Sequence, residues 1–232
     1  MRLSPCFFSG IILLCFTSLE VEATGMVPQT SVVIVEQSEG EGAINVKSTD
    51  TFPNLLLTTI ENIPEDTETL VSVIPPVARV EAGKIQRVRF IMISQVPLKT
   101  ERLKRVTFEG VPPQKKDMQE TRISIVQNLP MIIRPAGLEK DLEPWKHLVW
   151  KIKGSNLELS NPSPYVVRLG QDVQTLPDNT SWTLPNAYVL PGQLLTIVPE
   201  GDKHTGVTQK VRISPATTWG FSAGSYDSPL AN

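Results

Sequence analysis

The chain has 232 residues, of which 40% are hydrophobic and 20% charged, and its formal net charge is −2. A hydrophobic fraction this high, with balanced charge, excludes a disordered chain. The near-neutral charge argues against a nucleic-acid partner, because phosphate binding needs a basic surface. The whole chain contains 2 Cys and 2 His. A zinc site of the usual Cys/His kind is therefore nearly excluded, and we expect no metal and no other cofactor.

Residues 1–23 are typical of a secretory signal peptide. A basic Arg2 precedes an apolar run over residues 6–16, and the short side chains at residues 21–23 predict cleavage after Ala23. The alternative is a membrane anchor, but the apolar run is shorter than the roughly 20 residues that span a bilayer. Cys6 and Cys15 both lie in this segment. The mature protein is therefore predicted to lack disulfides and to depend on its core for stability.

The remaining chain predicts β-structure throughout. Val88 and Phe90, like Val106 and Phe108, show the period-two alternation of half-buried strands, and turns rich in Pro and Gly separate the runs. About seven strands in the first part fit an immunoglobulin-like sandwich. They are predicted at residues 31–35, 43–46, 54–60, 69–74, 87–93, 102–108 and 121–126.

A second, smaller β domain is predicted after about residue 140, where the rhythm of short strands resumes. We place the first domain at residues 24–138 and the second at residues 139–232. The second set of strands is predicted at residues 147–153, 156–160, 165–169, 194–198 and 209–213.

The sequence contains no recognisable catalytic motif. It has no Gly-x-Ser-x-Gly, no phosphate-binding loop and no His-Glu-x-x-His. His147 opens a predicted strand and His204 lies in a turn-like segment, so a solvated or packed role is favoured over a catalytic one. A secreted hydrolase would need one of these histidines beside a nucleophile. We therefore expect neither enzymatic activity nor a small-molecule substrate.

Segments along the whole chain resemble, in the same order, the signature of the periplasmic pilus-assembly chaperones, the PapD-like proteins of the chaperone–usher pathway. The resemblance rests on a Pro-Pro pair with a following basic residue and Glu-x-Gly turn, a strand ending in Val-Pro-Pro, an Arg-Pro stretch at the domain junction and an Asn-Pro-Ser-Pro-Tyr segment. These occupy residues 74–90, 101–113, 131–138 and 161–167.

The resemblance implies two immunoglobulin-like β-sandwiches in an L-shaped arrangement, in a periplasmic protein without enzymatic activity. Its expected partners are pilus or fimbrial subunits and an outer-membrane usher, and the resemblance also allows a weak homodimer of the free protein. The alternative function is a secreted two-domain adhesin or surface-binding protein on the same fold, because sandwiches host many functions.

In the resembling chaperones the last strand of the first domain, G1, is donated to a subunit that lacks its own final strand. Here that strand corresponds to residues 121–129. Alternation alone favours an ordinary core-facing strand, but the position just before Arg134-Pro135 favours the donor strand. The resemblance assigns subunit binding to alternate residues, namely Thr121, Ile123, Ile125, Gln127 and Leu129.

The resemblance also implies an ion-pair set at the domain junction. Glu101 and Arg134 match two of its members, and Asp202 is our candidate for the third. These groups would fix the angle between the domains. The alternative is that they are exposed ions that contribute little.

The sequence departs from the family pattern where the subunit's terminal carboxylate is normally held by two basic residues. The matching positions are Ser31 and Pro130, which carry no charge, and Pro130 also lacks a backbone donor. Either other cations serve, or the protein depends more on its donated strand. The candidate cations are Arg122, Lys104 and Arg105.

Overall fold

The computed structural model describes residues 25–113, 125–199 and 207–231. Within these residues the first unit contains nine strands, which follow from the alternating apolar positions that each sheet of a sandwich presents to the core. In chain order they are β1 (Met26–Pro28), β2 (Val33–Glu36), β3 (Glu41–Ser48), β4 (Asn54–Glu61), β5 (Val71–Ile74), β6 (Val77–Val80), β7 (Ile85–Met92), β8 (Arg102–Val111) and β9 (Val126–Arg134).

Two layers enclose the core of this unit. One layer has the order β5–β7–β3–β1 and the other β6–β4–β8–β9–β2. The pairing of Glu36 with Glu41 joins β2 to β3 where the two layers meet. Val88 and Phe90 of one layer and Val106 and Phe108 of the other are fully buried in the core between them. The alternation read from the sequence therefore marks the inward-facing side chains correctly.

The second unit begins with a 3-10 helix at Pro144–His147 and continues as short strands around its own core. The largest side chains buried there are Trp145, Trp150 and Trp182. The strands are β10 (Val149–Lys153), β11 (Asn156–Ser160), β12 (Val167–Arg168), β13 (Asp172–Leu176), β14 (Ser181–Thr183), β15 (Tyr188–Val189), β16 (Leu194–Ile197), β17 (Lys210–Ile213) and β18 (Tyr226–Pro229). They form sheets of order β10–β11–β16, β12–β15 and β14–β13–β17–β18.

Both units are immunoglobulin-like sandwiches, as the sequence predicted, but several strands differ in placement or were not predicted. The strand expected at residues 121–126 begins, in the described part, at Val126 and runs on to Arg134, and residues 114–124 lie outside the described residues. The sequence also missed the short strands β1, β6, β13, β14, β15 and β18, because two to five residues carry too little periodicity to be recognised.

No helix in the described parts of the chain is long and apolar enough to cross a membrane.

Gly42 permits the close approach of the two layers where β2 turns into β3. A β-carbon at this position would collide with the backbone oxygen of Ile34 in β2. Because backbone atoms cannot rotate away, Gly42→Ala should displace β2 and lower the free energy of unfolding by about 1–3 kcal/mol. Chemical denaturation would measure this loss.

Gly170→Ala is the matched control for that substitution. A β-carbon on Gly170 would make only ordinary contacts, 3.5 Å from the β-carbon of Ser214. A loss of stability as large in Gly170→Ala as in Gly42→Ala would contradict the steric explanation.

Candidate functional site at a free strand edge and the domain junction

Strand β9 is paired along nearly its whole length on one side and along only about half on the other. It pairs antiparallel with β8 from Val126 to Ile133 and parallel with β2 from Met131 to Arg134. Over residues 126–130, no other strand of the described chain occupies the side facing away from β8. The backbone groups on this stretch, which we call the free edge, are a template for a further strand.

The side chains of β9 alternate between two environments. Leu129, Met131 and Ile133 enter the core of the first unit, and Leu129 is only 7% exposed. Gln127 and Ile125 share their alternation, so they extend the same face beyond the core. Ile125 is 45% exposed. Thr121 and Ile123, the other two predicted binding residues, lie outside the described residues.

A groove of about 680 Å³ follows the free edge. One wall is residues 127–130 of β9, and another is residues 27–31, which carry the chain from β1 across to β2. The second unit adds Trp219 and Phe221, which are 52% and 71% exposed. The hydroxyl of Ser31 donates to the backbone oxygen of Trp219 over 2.7 Å, so the two units meet at this end of the groove.

The atypical positions Ser31 and Pro130 both line this groove. Of the cations considered as substitutes, Arg122 lies outside the described residues. Lys104 is only 1% exposed, and its Nζ donates to the backbone oxygen and Oδ1 of Asp66 over 2.7 and 2.8 Å. Lys104 therefore belongs to a buried structural contact, which leaves Arg105 among the described candidates.

Arg105 lies on β8 opposite Pro130 and also lines the groove. It donates from Nε to Oδ1 of Asn128 over 2.8 Å and from Nη2 to the backbone oxygen of Asn128 over 2.9 Å. These bonds hold the guanidinium beside the free edge of β9.

Arg168, which no motif in the sequence indicated, reaches the same groove from β12 of the second unit. Its Nη1 is buried and has no hydrogen-bond partner among the described residues. Burial, and then the positive charge of Arg105, lower the pKa of Arg168. No local signal in the sequence identifies it, because only the packing of the two units brings Arg168 to β9.

The domain junction contains a buried ion network. Arg134 Nε donates to Oε1 of Glu101 and Arg134 Nη1 to Oε1 of Glu36, each over 3.1 Å. The side chains of Arg134 and Glu101 are 9% and 7% exposed, so this is not a surface ion pair. Asp202 lies outside the described residues, and Glu36 completes the network in the described part.

Glu36 was missed because its partner is distant in the chain. It sits opposite Arg134 in the parallel pairing of β2 with β9. That pairing joins residues 98 positions apart, and nothing in the local sequence of β2 indicates it.

Glu101 connects this network to the second unit. Its Oε2 accepts a hydrogen bond from the backbone N–H of Val166 over 2.9 Å, and its own backbone N–H donates to the oxygen of Pro164 over 2.8 Å. Val166 also packs with Val32, Leu103 and Ile132 of the first unit in a small apolar cluster. The two units are therefore joined by directed bonds as well as by apolar contact.

Asn161 shapes the loop that carries these contacts. Its Nδ2 donates to the backbone oxygens of Tyr165 and Val189 over 2.8 and 3.2 Å, and its Oδ1 accepts from the N–H and hydroxyl of Ser163 over 3.1 and 2.6 Å. The Asn-Pro-Ser-Pro-Tyr segment thus has a physical role, because it presents Pro164 and Val166 to Glu101.

Comparison with known proteins agrees with this architecture. The family model for the N-terminal domain of the PapD pili and flagellar-assembly chaperones matches residues 25–139, and the model for the PapD C-terminal domain matches residues 143–221. The chain belongs to the pilus-assembly chaperone family. Proteins of this family act as chaperones and not as enzymes, in agreement with the expectation from the sequence.

Individual relatives cover nearly the whole chain. The fimbrial chaperone YhcA of Escherichia coli (strain K12) is 43% identical over 216 residues, which are 92% of this chain and 94% of YhcA. The Salmonella enterica SafB chaperone, solved in complex with the SafA pilin, matches with a TM-score of 0.71 at 20% identity, covering 90% of this chain and 98% of that chain. The E. coli chaperone DraB matches with a TM-score of 0.70 at 18% identity, covering 89% and 98%.

Removing Arg134 should destabilise the protein strongly. Arg134→Ala leaves the buried carboxylate of Glu101 without its cation, so we expect a loss of about 3–5 kcal/mol in the free energy of unfolding. Arg79→Ala is the control, because the Arg79–Glu81 pair is exposed and should contribute about 1 kcal/mol or less. Equal losses in the two variants, measured by chemical denaturation, would show that burial of the network has no energetic consequence.

The stability of the junction should also depend on pH. Burial raises the pKa of Glu101 above its usual value of 4.5, although the Val166 N–H and Arg134 oppose this shift. A carboxyl with a raised pKa in the folded state stabilises fully below its ordinary pKa, and this contribution is lost as the pH rises through the raised value. The free energy of unfolding of the wild type, relative to Glu101→Gln, should therefore fall as the pH rises above about 4.5.

Denaturation curves at a series of pH values would measure this difference, with Glu81→Gln as an exposed control. A difference between wild type and Glu101→Gln that stays constant over the series would contradict the assignment of the shift to Glu101.

Proposed function

We propose that the protein is a periplasmic chaperone that binds pilus subunits by donating β9, together with the residues just before it, as an additional strand. The observation that carries this proposal is the free edge beside an open groove, because a subunit strand added there would pair with β9 on the side that no other strand of the described chain occupies. The membership of the pilus-assembly chaperone family supports the same function. The SafB chaperone, a structural neighbour, was solved with a pilin bound.

Alternate side chains of the donated strand would enter the subunit. Ile125 is half-exposed on the face that continues the core of the first unit, and Thr121 and Ile123 share its alternation. Leu129 already packs inside that core, so in this proposal it anchors the strand while the preceding residues fill the partner. Gln127 lies between Ile125 and Leu129 in the strand and lines the groove. Backbone bonds would provide affinity and these side chains the fit.

Other features support the periplasmic location and the delivery step that this function requires. Residues 1–23 are typical of a secretory signal and would direct the protein to the periplasm. The Glu101–Arg134–Glu36 network, in which Arg134 and Glu101 are buried, would hold the second unit at a fixed position beside the free edge. We propose that the subunit so bound is passed to an outer-membrane usher. The adhesin alternative has no comparable support, since no relative described above is an adhesin.

A charge placed on the donated face should weaken subunit binding. Burying an isoleucine side chain contributes about 2 kcal/mol, and a buried carboxylate costs more than that gain. Ile125→Glu should therefore reduce the amount of bound subunit at least about tenfold. The measurement is affinity purification of the tagged protein from the periplasm of its own host, with quantitative mass spectrometry of the co-purified pilus subunits.

Val126→Glu is the matched control for this experiment. Val126 is 49% exposed, close to the 45% of Ile125, but the alternation of the strand points it to the opposite face. The Val126→Glu variant therefore introduces the same charge as Ile125→Glu, one residue further along the strand. If Val126→Glu and Ile125→Glu recover the same amount of subunit as the wild type, strand donation by this face is wrong.

A further inference from the structure

The layer β5–β7–β3–β1 presents cations and apolar side chains together on the face that points away from the core. Residues directly opposite each other in an antiparallel pair project to the same face of the sheet. The pairing registers therefore place exposed side chains in three neighbouring rows, which we call the outer face. The rows are Val27–Lys47–Ile85, Asn45–Arg87 and Ala43–Arg89–Ile74.

Two cations of the outer face have no anionic partner. Lys47 and Arg87 are exposed, and neither forms a salt bridge with another residue in the described ranges. Arg89 is paired with Glu41, which lies in the next row of the same face. The outer face is therefore positively charged, although the whole chain has a formal net charge of −2. An anionic partner would be attracted to this face in particular and not to the protein as a whole.

Exposed apolar side chains lie between these cations. Ile85, Ile74 and Val27 are 61%, 51% and 41% exposed. Ile85 lies directly opposite Lys47. Exposed apolar side chains with a polar rim mark a surface that contacts a protein or a membrane. Lys and Arg suit a membrane contact, because their stems can lie along apolar material while their charges stay in water.

A hollow of about 110 Å³ beside Arg87 has room for a small anionic group. Its described lining contains no acidic side chain and consists of Gln29, Thr30, Ala43, Ile44, Asn45 and Arg87. Asn45 Nδ2 donates to Oε1 of Gln29 over 3.0 Å, so Gln29 keeps its Nε2 for another acceptor. The guanidinium of Arg87 makes no hydrogen bond within the described chain. A guanidinium beside an amide donor suits a phosphate group.

The outer face and the free edge belong to different layers of the first unit. Lys47, Ile85 and Arg87 do not line the groove beside β9, so a partner on the outer face would leave the free edge accessible. The outer face is a sheet surface with one small hollow and not an extended groove. It therefore fits a broad anionic surface that carries small phosphate groups better than it fits a single peptide.

We infer that the outer face binds the surface of a membrane that contains anionic phospholipids. The phosphate of one headgroup would occupy the hollow at Arg87, and Lys47 would contact a neighbouring headgroup. Ile85 would enter the boundary between the headgroups and the acyl chains. Charge attraction and shallow apolar insertion act together in such contacts. This inference does not depend on strand donation, because Lys47, Ile85 and Arg87 lie outside the groove.

Co-sedimentation of the protein with lipid vesicles tests the inference. The probes are vesicles of phosphatidylcholine alone and vesicles of equal parts phosphatidylcholine and phosphatidylglycerol. The wild type should bind the mixed vesicles at least about tenfold more tightly, because only these vesicles attract the cations. Added salt should reduce this preference. Equal binding to both kinds of vesicle, or binding to neither, would overturn the inference.

Removal of the two unpaired cations should weaken binding to the mixed vesicles. The double variant Lys47→Gln/Arg87→Gln should lose about thirtyfold, because each cation near an anionic surface contributes about fivefold. The matched control is Lys99→Gln/Lys210→Gln, which removes the same charge from exposed residues outside the outer face and should bind like the wild type. Equal losses in the two double variants would show that net charge alone determines binding and that the outer face is not the site.

The apolar part of the contact is tested separately. Ile85→Ser should weaken binding to the mixed vesicles at least about threefold, because an apolar side chain no longer enters the membrane boundary. Leu194→Ser is the matched control, since Leu194 is 64% exposed and lies on β16 of the second unit. Thermal denaturation would verify that each variant is folded. Wild-type binding by Ile85→Ser would contradict the insertion of the outer face.

Two further measurements distinguish the other possible occupants of the outer face. Inorganic phosphate should release the protein from mixed vesicles no more than sodium chloride of the same ionic strength does. A selective release by phosphate would assign the hollow to a soluble anion. Sedimentation velocity without lipid should give the same mass for the wild type and Ile85→Ser. A dimer that is lost in Ile85→Ser would assign the outer face to a second copy of the chain, and either result would overturn the membrane contact.

Discussion

The parallel pairing of β2 with β9 is the constraint on which the rest of the molecule depends. It covers only Met131 to Arg134, so the same strand is a core strand at one end and a free edge at the other. An unpaired edge normally promotes aggregation and is blunted by charge, proline or cover. Here Pro130 and the bond from Arg105 to the backbone oxygen of Asn128 reduce the number of free backbone groups, and the crossover from β1 to β2 leaves a groove beside the edge.

The buried network at the end of this pairing serves geometry more than stability. Removing two charges from water is costly, and a buried ion pair is often no better than apolar packing. Its directed bonds, however, act at a specific distance and angle. Glu101 bonds both to Arg134 and to the backbone of Val166, so the position of the second unit is linked to the strand that carries the free edge.

Much of the fold follows from the sequence because alternation is a local signal. Val88, Phe90, Val106 and Phe108 were identified as inward-facing before the structure, and all four are fully buried. Glu36 and Arg168 could not be found in this way. Their roles arise from a parallel pairing between residues far apart in the chain and from the packing of two units, and neither leaves a periodic pattern. Glu101 and Arg134 were assigned to one ion-pair set by the resemblance to known chaperones and not by alternation. Such a resemblance carries three-dimensional information from relatives, which a local pattern lacks.

Ser31 and Pro130, the two uncharged residues at positions where the family pattern has basic residues, both line the groove. A proline at position 130 ends the hydrogen-bonding ladder of the free edge just where β2 begins. Among the described residues that line the groove, Arg105 of β8 and Arg168 of the second unit carry the positive charge. A groove lined by both units keeps its shape only while the two units keep their relative position. The Glu101–Arg134–Glu36 network therefore fixes the shape of the groove, because a displaced second unit would take Arg168, Trp219 and Phe221 away from β9.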